Sequence, residues 1–195
     1  NKDIAFDDLN SCPVLKGKDS AGKDCLFFYS TGNIRISEDF KSGSLSHKQN
    51  YYSTETYFYL SDQGTAQTIG KAAEITENAG RQVGSFTNYA FYEKESVNLL
   101  ESGSKWFGEE FNTGQSRTFT FTLENIDLTK IVQFVVSAAA RSSLSSSMNV
   151  TVNGTSLNDI TFQAENTTDQ TWEYANEQIS TFPGLISSNN IQLKL

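Results

Sequence analysis

The clearest pattern of hydrophobic and polar positions runs through Ser116–Gly154. Phe119, Phe121 and Leu123 alternate with Thr118, Thr120 and Thr122. One face of that segment is apolar and the other hydroxylated, the period-two signature of a half-buried strand. Asn125–Lys130 supplies turn chemistry. Ile131–Ala140 is almost wholly apolar and rich in β-branched residues, which predicts a central strand covered on both faces. Arg141–Ser147 is too rich in serine to pack and predicts a loop. Met148, Val150 and Val152 alternate again and stop at Asn153-Gly154. Asn-Gly is the commonest type I′ hairpin signal, because both central residues must take positive φ. A long apolar strand flanked by alternating ones is the middle of an antiparallel sandwich.

The rest of the chain repeats the theme with weaker signals. Asn1–Leu15 reads as irregular and Lys16–Asp24 as a polar loop. Cys25–Ser30 predicts a strand, Thr31-Gly32-Asn33 a turn, and Ile34–Ile36 a short strand. Ser37–Asn50 reads as a polar connection carrying His47, the only histidine. Tyr51–Ser61, Thr68–Thr76 and Val83–Glu93 predict strands. Val97, Leu99 and Leu100 fit one helical turn, after which Trp106-Phe107-Gly108 forms an apolar cluster in a loop. Leu157–Phe162 and Trp172–Phe182 predict further strands, with turns at Thr167–Asp169 and Pro183-Gly184. Ile191, Leu193 and Leu195 alternate like a last strand.

About eight or more short strands without a fixed repeat point to an all-β fold. We expect mainly an antiparallel β-sandwich, jelly-roll-like, with at most one or two short helical turns. A boundary is placed near residue 50. Residues 1–50 would be the tail of an upstream β-rich region and 51–195 the sandwich. A strand running to the last residue suggests a piece cut from a longer protein; a natural edge strand is the alternative.

Composition sharpens this picture in three ways. Phe (14) and Tyr (8) are abundant, a bias toward sheet. The net charge of −8, with no cationic cluster denser than Lys16-Gly-Lys18, repels phosphate backbones, so nucleic acid is not expected as a partner. The longest apolar run, Ile131–Ala140, is about half the roughly 20 residues that cross a bilayer, so no direct membrane insertion is expected.

Candidate chemistry is sparse. Cys12 and Cys25 are the only cysteines. They read either as one disulfide of an exported protein or as two unrelated thiols. Asp19 and Asp24 could ligate calcium, but the loop lacks closely alternating oxygen ligands and reads better as a solvated turn. A Ser-His-Asp or Cys-His arrangement would have to use His47, which sits in a polar stretch without a nucleophile turn. No cysteine–histidine cluster has metal-ligand spacing, and no glycine-rich loop precedes a helix. No cofactor is expected. Glu109-Glu110 beside Trp106 and Phe107 is the one place where carboxylates meet aromatics, a setting that can raise a carboxylate for glycoside hydrolysis. Adjacent residues of an extended chain point to opposite faces, which favours a structural role. Trp106, Trp172, Tyr51 and Tyr52 are candidates for stacking on sugar rings, with core packing as the alternative. Asn149, Asn153 and Asn166 head Asn-X-Thr triplets, which are expected by chance in a sequence this rich in Asn, Ser and Thr.

Three blocks carry a family likeness: FFYSTGNIRI (Phe27–Ile36), HKQNYYSTETYFYL (His47–Leu60) and NYAFYEKESVNLLESGSKWFGEEF (Asn88–Phe111). In this order they resemble the N-terminal β-rich region of the PorU family, the sortases of the Bacteroidetes type IX secretion system. VSAAARSSLSSSMNVTVNG is similar to later strands of the same region. The block with Glu95, Asn98, Gly103, Trp106, Phe107, Gly108, Glu109 and Phe111 is the most specific. The resemblance implies a gingipain-type cysteine peptidase domain downstream, whose Cys and His match no position here. It implies export to the outer membrane surface, where the family removes C-terminal sorting domains from cargo. It also implies as partners that peptidase domain, an outer-membrane barrel protein and cargo. This chain would then be a non-catalytic scaffold, with Trp106, Phe107 and Glu109 as a candidate contact loop. The rival expectation is a carbohydrate-binding module of a surface glycan-utilisation protein. A stand-alone adhesin domain is a third, hinted at only by Ser142–Ser147.

Overall fold

The computed structural model describes residues 11–39, 44–50, 53–62, 64–78, 80–99, 105–169 and 173–195. They are all-β: every regular element among them is a strand and every strand pairing is antiparallel. The chain divides into two compact units, residues 1–87 and 88–195.

The first unit holds two hairpins. β1 (Val14–Lys18) pairs with β2 (Asp24–Phe28), opposing Gly17 to Cys25. The connection is a turn: the Asp19 carboxylate accepts the N–H groups of Ala21 and Lys23, both at 2.9 Å. Gly22 completes it with φ 80°, a conformation that favours glycine. β1 therefore occupies part of a stretch read from sequence as polar loop. β3 (Ile34–Asp39) pairs with β4 (Ser44–Gln49), which places His47 opposite Ile36. β4 has the sequence SLSHKQ, too polar to signal a strand; its pairing with β3 holds it.

The aromatic segments expected as strands at 51–61, 68–76 and 83–93 form none among their described residues. Only a bridge from Val14 to Thr68 ties that region to β1. Aromatic content raises β-propensity, but a strand needs a partner ladder and a buried face. Tyr59 and Leu60 are more than four-fifths exposed, so neither condition is met.

The second unit is the sandwich. β5 (Thr118–Thr122), β12 (Asn190–Lys194), β8 (Thr151–Val152) and β9 (Thr155–Ser156) form one sheet in that spatial order. β6 (Val132–Ala140) pairs with β11 (Asn176–Gly184), and β7 (Ser146–Met148) with β10 (Ile160–Phe162). One cluster joins the inner faces: Phe134 and Val136 of β6, Phe182 of β11, Val152, Ile160 and Phe162, and Ile191 and Leu193 of β12. All the fully buried hydrophobic residues among those described belong to this unit.

Three details correct the sequence reading. β6 is not covered on both faces: Phe134 and Val136 are buried, while Val135 is 60% exposed. The Met148–Val152 alternation is not one strand. Met148 pairs with Ile160 and Val152 with Leu193, so the chain changes sheets at Val150, which is fully buried. Such switches form the corners of sandwiches. Pro183-Gly184 is not a turn but the end of β11, opposite Gln133 and Val132. The Asn153-Gly154 hairpin forms as expected, with φ 47° and 81°.

Candidate functional site

The candidate contact loop at Trp106–Glu109 lies in the second unit and is fastened to the segment before it. Val97 and Phe107 exchange backbone hydrogen bonds of 2.8 and 2.7 Å, and the Ser96 N–H also donates to the Phe107 carbonyl at 2.9 Å. Two successive N–H groups on one carbonyl are the mark of a β-bulge. Val97 is thus bridged, not part of a helical turn; Leu100 of that expected turn lies outside the described residues. Gly108 is required by close approach, since a Cβ there would sit 3.0 Å from the Lys94 carbonyl oxygen.

Glu109 is the fastening point. Its Oε1 accepts the Tyr92 hydroxyl at 2.7 Å and faces Lys94 Nζ at 3.5 Å. Its Oε2 lies 3.6 Å from the Arg117 guanidinium. Arg117 also donates to the Glu110 carbonyl through Nε and Nη2. The Tyr92 hydroxyl is the main cause that holds the Glu109 carboxyl below its ordinary value; burial opposes it, and Lys94 and Arg117 add to the lowering. A general acid for glycoside hydrolysis needs the opposite shift. Tyr92 packs on Phe119 of β5 with ring centroids 4.8 Å apart, so the loop is tied to the sandwich through one carboxylate. Lys105, just before it, forms an ion pair with Glu177 of β11.

The perturbed acid is a residue that sequence reasoning did not single out as chemistry. Glu95 has both carboxyl oxygens buried, and no nitrogen or hydroxyl donor reaches them. Burial, then its contact with the Glu93 carboxyl, pushes it up to about 7. Glu93 and Glu95 lie two residues apart on one side of an extended segment, a spacing legible in sequence as an i, i+2 repeat. The indole Nε1 of Trp106 is also buried without an acceptor.

The other candidates are dispersed. Cys12 and Cys25 are free thiols. Cys12 Sγ lies against the Tyr29 carbonyl and Cys25 stands opposite Gly17. Four residues of extended chain separate Tyr29 from Cys25, roughly 13 Å, beyond the ~7 Å Cα separation a disulfide bridges. In this structure the two are not bonded to one another. Asp24 bonds Lys18 Nζ at 2.8 Å. Tyr51, Tyr52 and Trp172 lie outside the described residues. In the serine-rich stretch, Ser146 and Ser147 already belong to β7. Arg141 beside it is a clamp: it donates to the Tyr174 and Thr167 carbonyls, at 2.8 and 3.1 Å, and lies 3.8 Å from the Tyr174 ring centroid.

Comparison with solved structures gives a likeness in fold. No family model and no curated protein matches the sequence. Among solved structures, the chain is similar to dimeric latent PorU from Porphyromonas gingivalis, with 22% identity and a TM-score of 0.67. The match covers 98% of this chain and 18% of that one. At this identity the likeness shows a PorU-like fold.

Proposed function

We propose that this chain is a β-domain of a PorU-like sortase polypeptide, exported to the outer membrane surface and serving there as a non-catalytic scaffold. The observation that carries this reading is the fold correspondence over 98% of the chain with a solved PorU chain of which it spans only 18%. The larger part of such a chain is left for other domains, which this one would hold in place. In this reading a downstream gingipain-type peptidase domain removes C-terminal sorting domains from type IX cargo, and an outer-membrane barrel protein and the cargo itself are partners.

The test begins with the coding DNA downstream of Leu195, which should encode a domain with a paired Cys and His. A stop codon close behind would overturn the proposal. In the full polypeptide, a combined Cys12→Ser, Cys25→Ser and His47→Ala variant should process cargo at the wild-type rate. Loss of processing with normal protein levels would assign catalysis to this region instead.

A further inference from the structure

Two of the sheets of the second unit differ in what they show to solvent. On the sheet containing β5 and β12, the outward rungs pair Thr122 with Asn190, Thr120 with Gln192 and Thr118 with Lys194. That face is hydroxyl, amide and charge, as expected of a solvated sheet. On β6–β11 the outward rungs pair Gln133 with Pro183, Val135 with Thr181, Ser137 with Ile179 and Ala139 with Glu177. Ile131 and Leu185 flank the ladder at its open end. The exposed fractions are 64% for Ile131, 60% for Val135, and 69% for both Ile179 and Leu185. Glu177 is the only charge on these rungs, and Lys105 neutralises it. A chain with a net charge of −8 thus presents one ladder of apolar and uncharged side chains.

We infer that the outer face of β6–β11 is a docking surface for another domain of the same polypeptide. This rests on the reading that the chain is part of a larger sortase-like protein. The size of the face decides between occupants. Eight residue steps along a strand and two strands across give about 25 Å by 10 Å, or roughly 250 Å² in projection. A stable dimer needs on the order of 800 Å² from each partner, so a second copy in free solution is poorly served. Interfaces between domains of one chain start near 600 Å² in total, about 300 Å² a side. Tethering holds the partner at high effective concentration and makes so small a contact sufficient. The likeness to a chain of which this one spans only 18% supplies such a tethered partner. The Lys105–Glu177 pair ties the residue before the Trp106–Glu109 loop to one end of the same face.

The test uses the full natural polypeptide in a Cys12→Ser, Cys25→Ser background and adds one reporter thiol at a time. Ile179→Cys probes the β6–β11 face and Gln192→Cys the opposite sheet; both positions are exposed in this structure. With labelling read on the reporter's own peptide by mass spectrometry, so that thiols of the downstream domain do not contribute, a hydrophilic maleimide should modify Ile179→Cys about tenfold more slowly than Gln192→Cys, because thiol reactivity follows access. The protection should persist on dilution. Equal labelling rates would overturn the docking surface while leaving the larger-protein reading intact. Protection that vanishes on dilution would assign the face to a second copy and would also overturn it. If the gene ends soon after Leu195, both readings fall together.

Discussion

Asn153 and Gln192 are bonded twice: the Asn153 N–H donates to the Gln192 carbonyl at 2.9 Å, and the Gln192 N–H donates to Asn153 Oδ1 at 2.8 Å. The side chain of a turn residue here stands in for a backbone carbonyl and extends the β12 ladder past the end of β8. Replacing Asn153 by glycine keeps the φ of 47° accessible and removes only the side-chain bond. We expect a loss of about 1 kcal/mol. Alanine loses the same bond and adds left-handed strain, for about 2–3 kcal/mol in total. Urea unfolding of both variants checks the ordering; equal losses would refute the left-handed requirement.

Glu95 sets a pH dependence of definite sign. Its folded value of about 7 lies above the ordinary 4.5, so the folded unit holds a proton that the unfolded chain releases. Stability from this group is fully present below about pH 4.5, falls as pH rises through the interval and levels off above about 7. Glu95→Gln should flatten that decline. Denaturation midpoints across pH 5 to 8, compared between wild type and variant, read it directly.

Glu109 acts in the opposite sense. Its carboxyl is held low, first by the Tyr92 hydroxyl. Its contribution is present above the ordinary value of 4.5 and is lost as pH falls through the lowered folded value. Tyr92→Phe keeps the ring on Phe119 and removes the hydroxyl, so the Glu109 carboxyl should move up toward 4.5. Carboxyl chemical shifts followed by NMR against pH would show it, and an unmoved titration would exclude the hydroxyl as the main cause.

Arg141 holds the Thr167 and Tyr174 carbonyls and stacks on the Tyr174 ring. Lysine cannot reproduce a planar fork that bonds two carbonyls and covers a ring. Arg141→Lys should cost about 1–2 kcal/mol and raise amide exchange around Thr167. Unchanged exchange there would mean the clamp does not order the segment.

Much of the sandwich was legible in the chain itself. Alternation at Thr118–Leu123 and at Ile191–Leu195 records which side of each strand meets the core, because side chains of a strand point alternately to its two faces. Asn153-Gly154 announced its hairpin because positive φ at two successive residues restricts the residue types that fit. Pairing was decided elsewhere. β4 is too polar to declare itself and exists through its register with β3. The Met148–Val152 alternation is real, but only the packed sandwich splits it between Ile160 and Leu193. Pro183-Gly184 reads locally as a turn, yet ends β11 because Gln133 and Val132 lie opposite. The candidate site follows the same division. Trp106, Phe107 and Glu109 could be picked out as an unusual cluster, whereas the bulge at Val97, the Tyr92–Glu109–Arg117 fastening and the burial of Glu95 depend on segments brought together by folding. Local sequence encodes the face each side chain needs; which strand or side chain arrives to meet it is a long-range outcome, set by burial and hydrogen bonding summed over the whole unit.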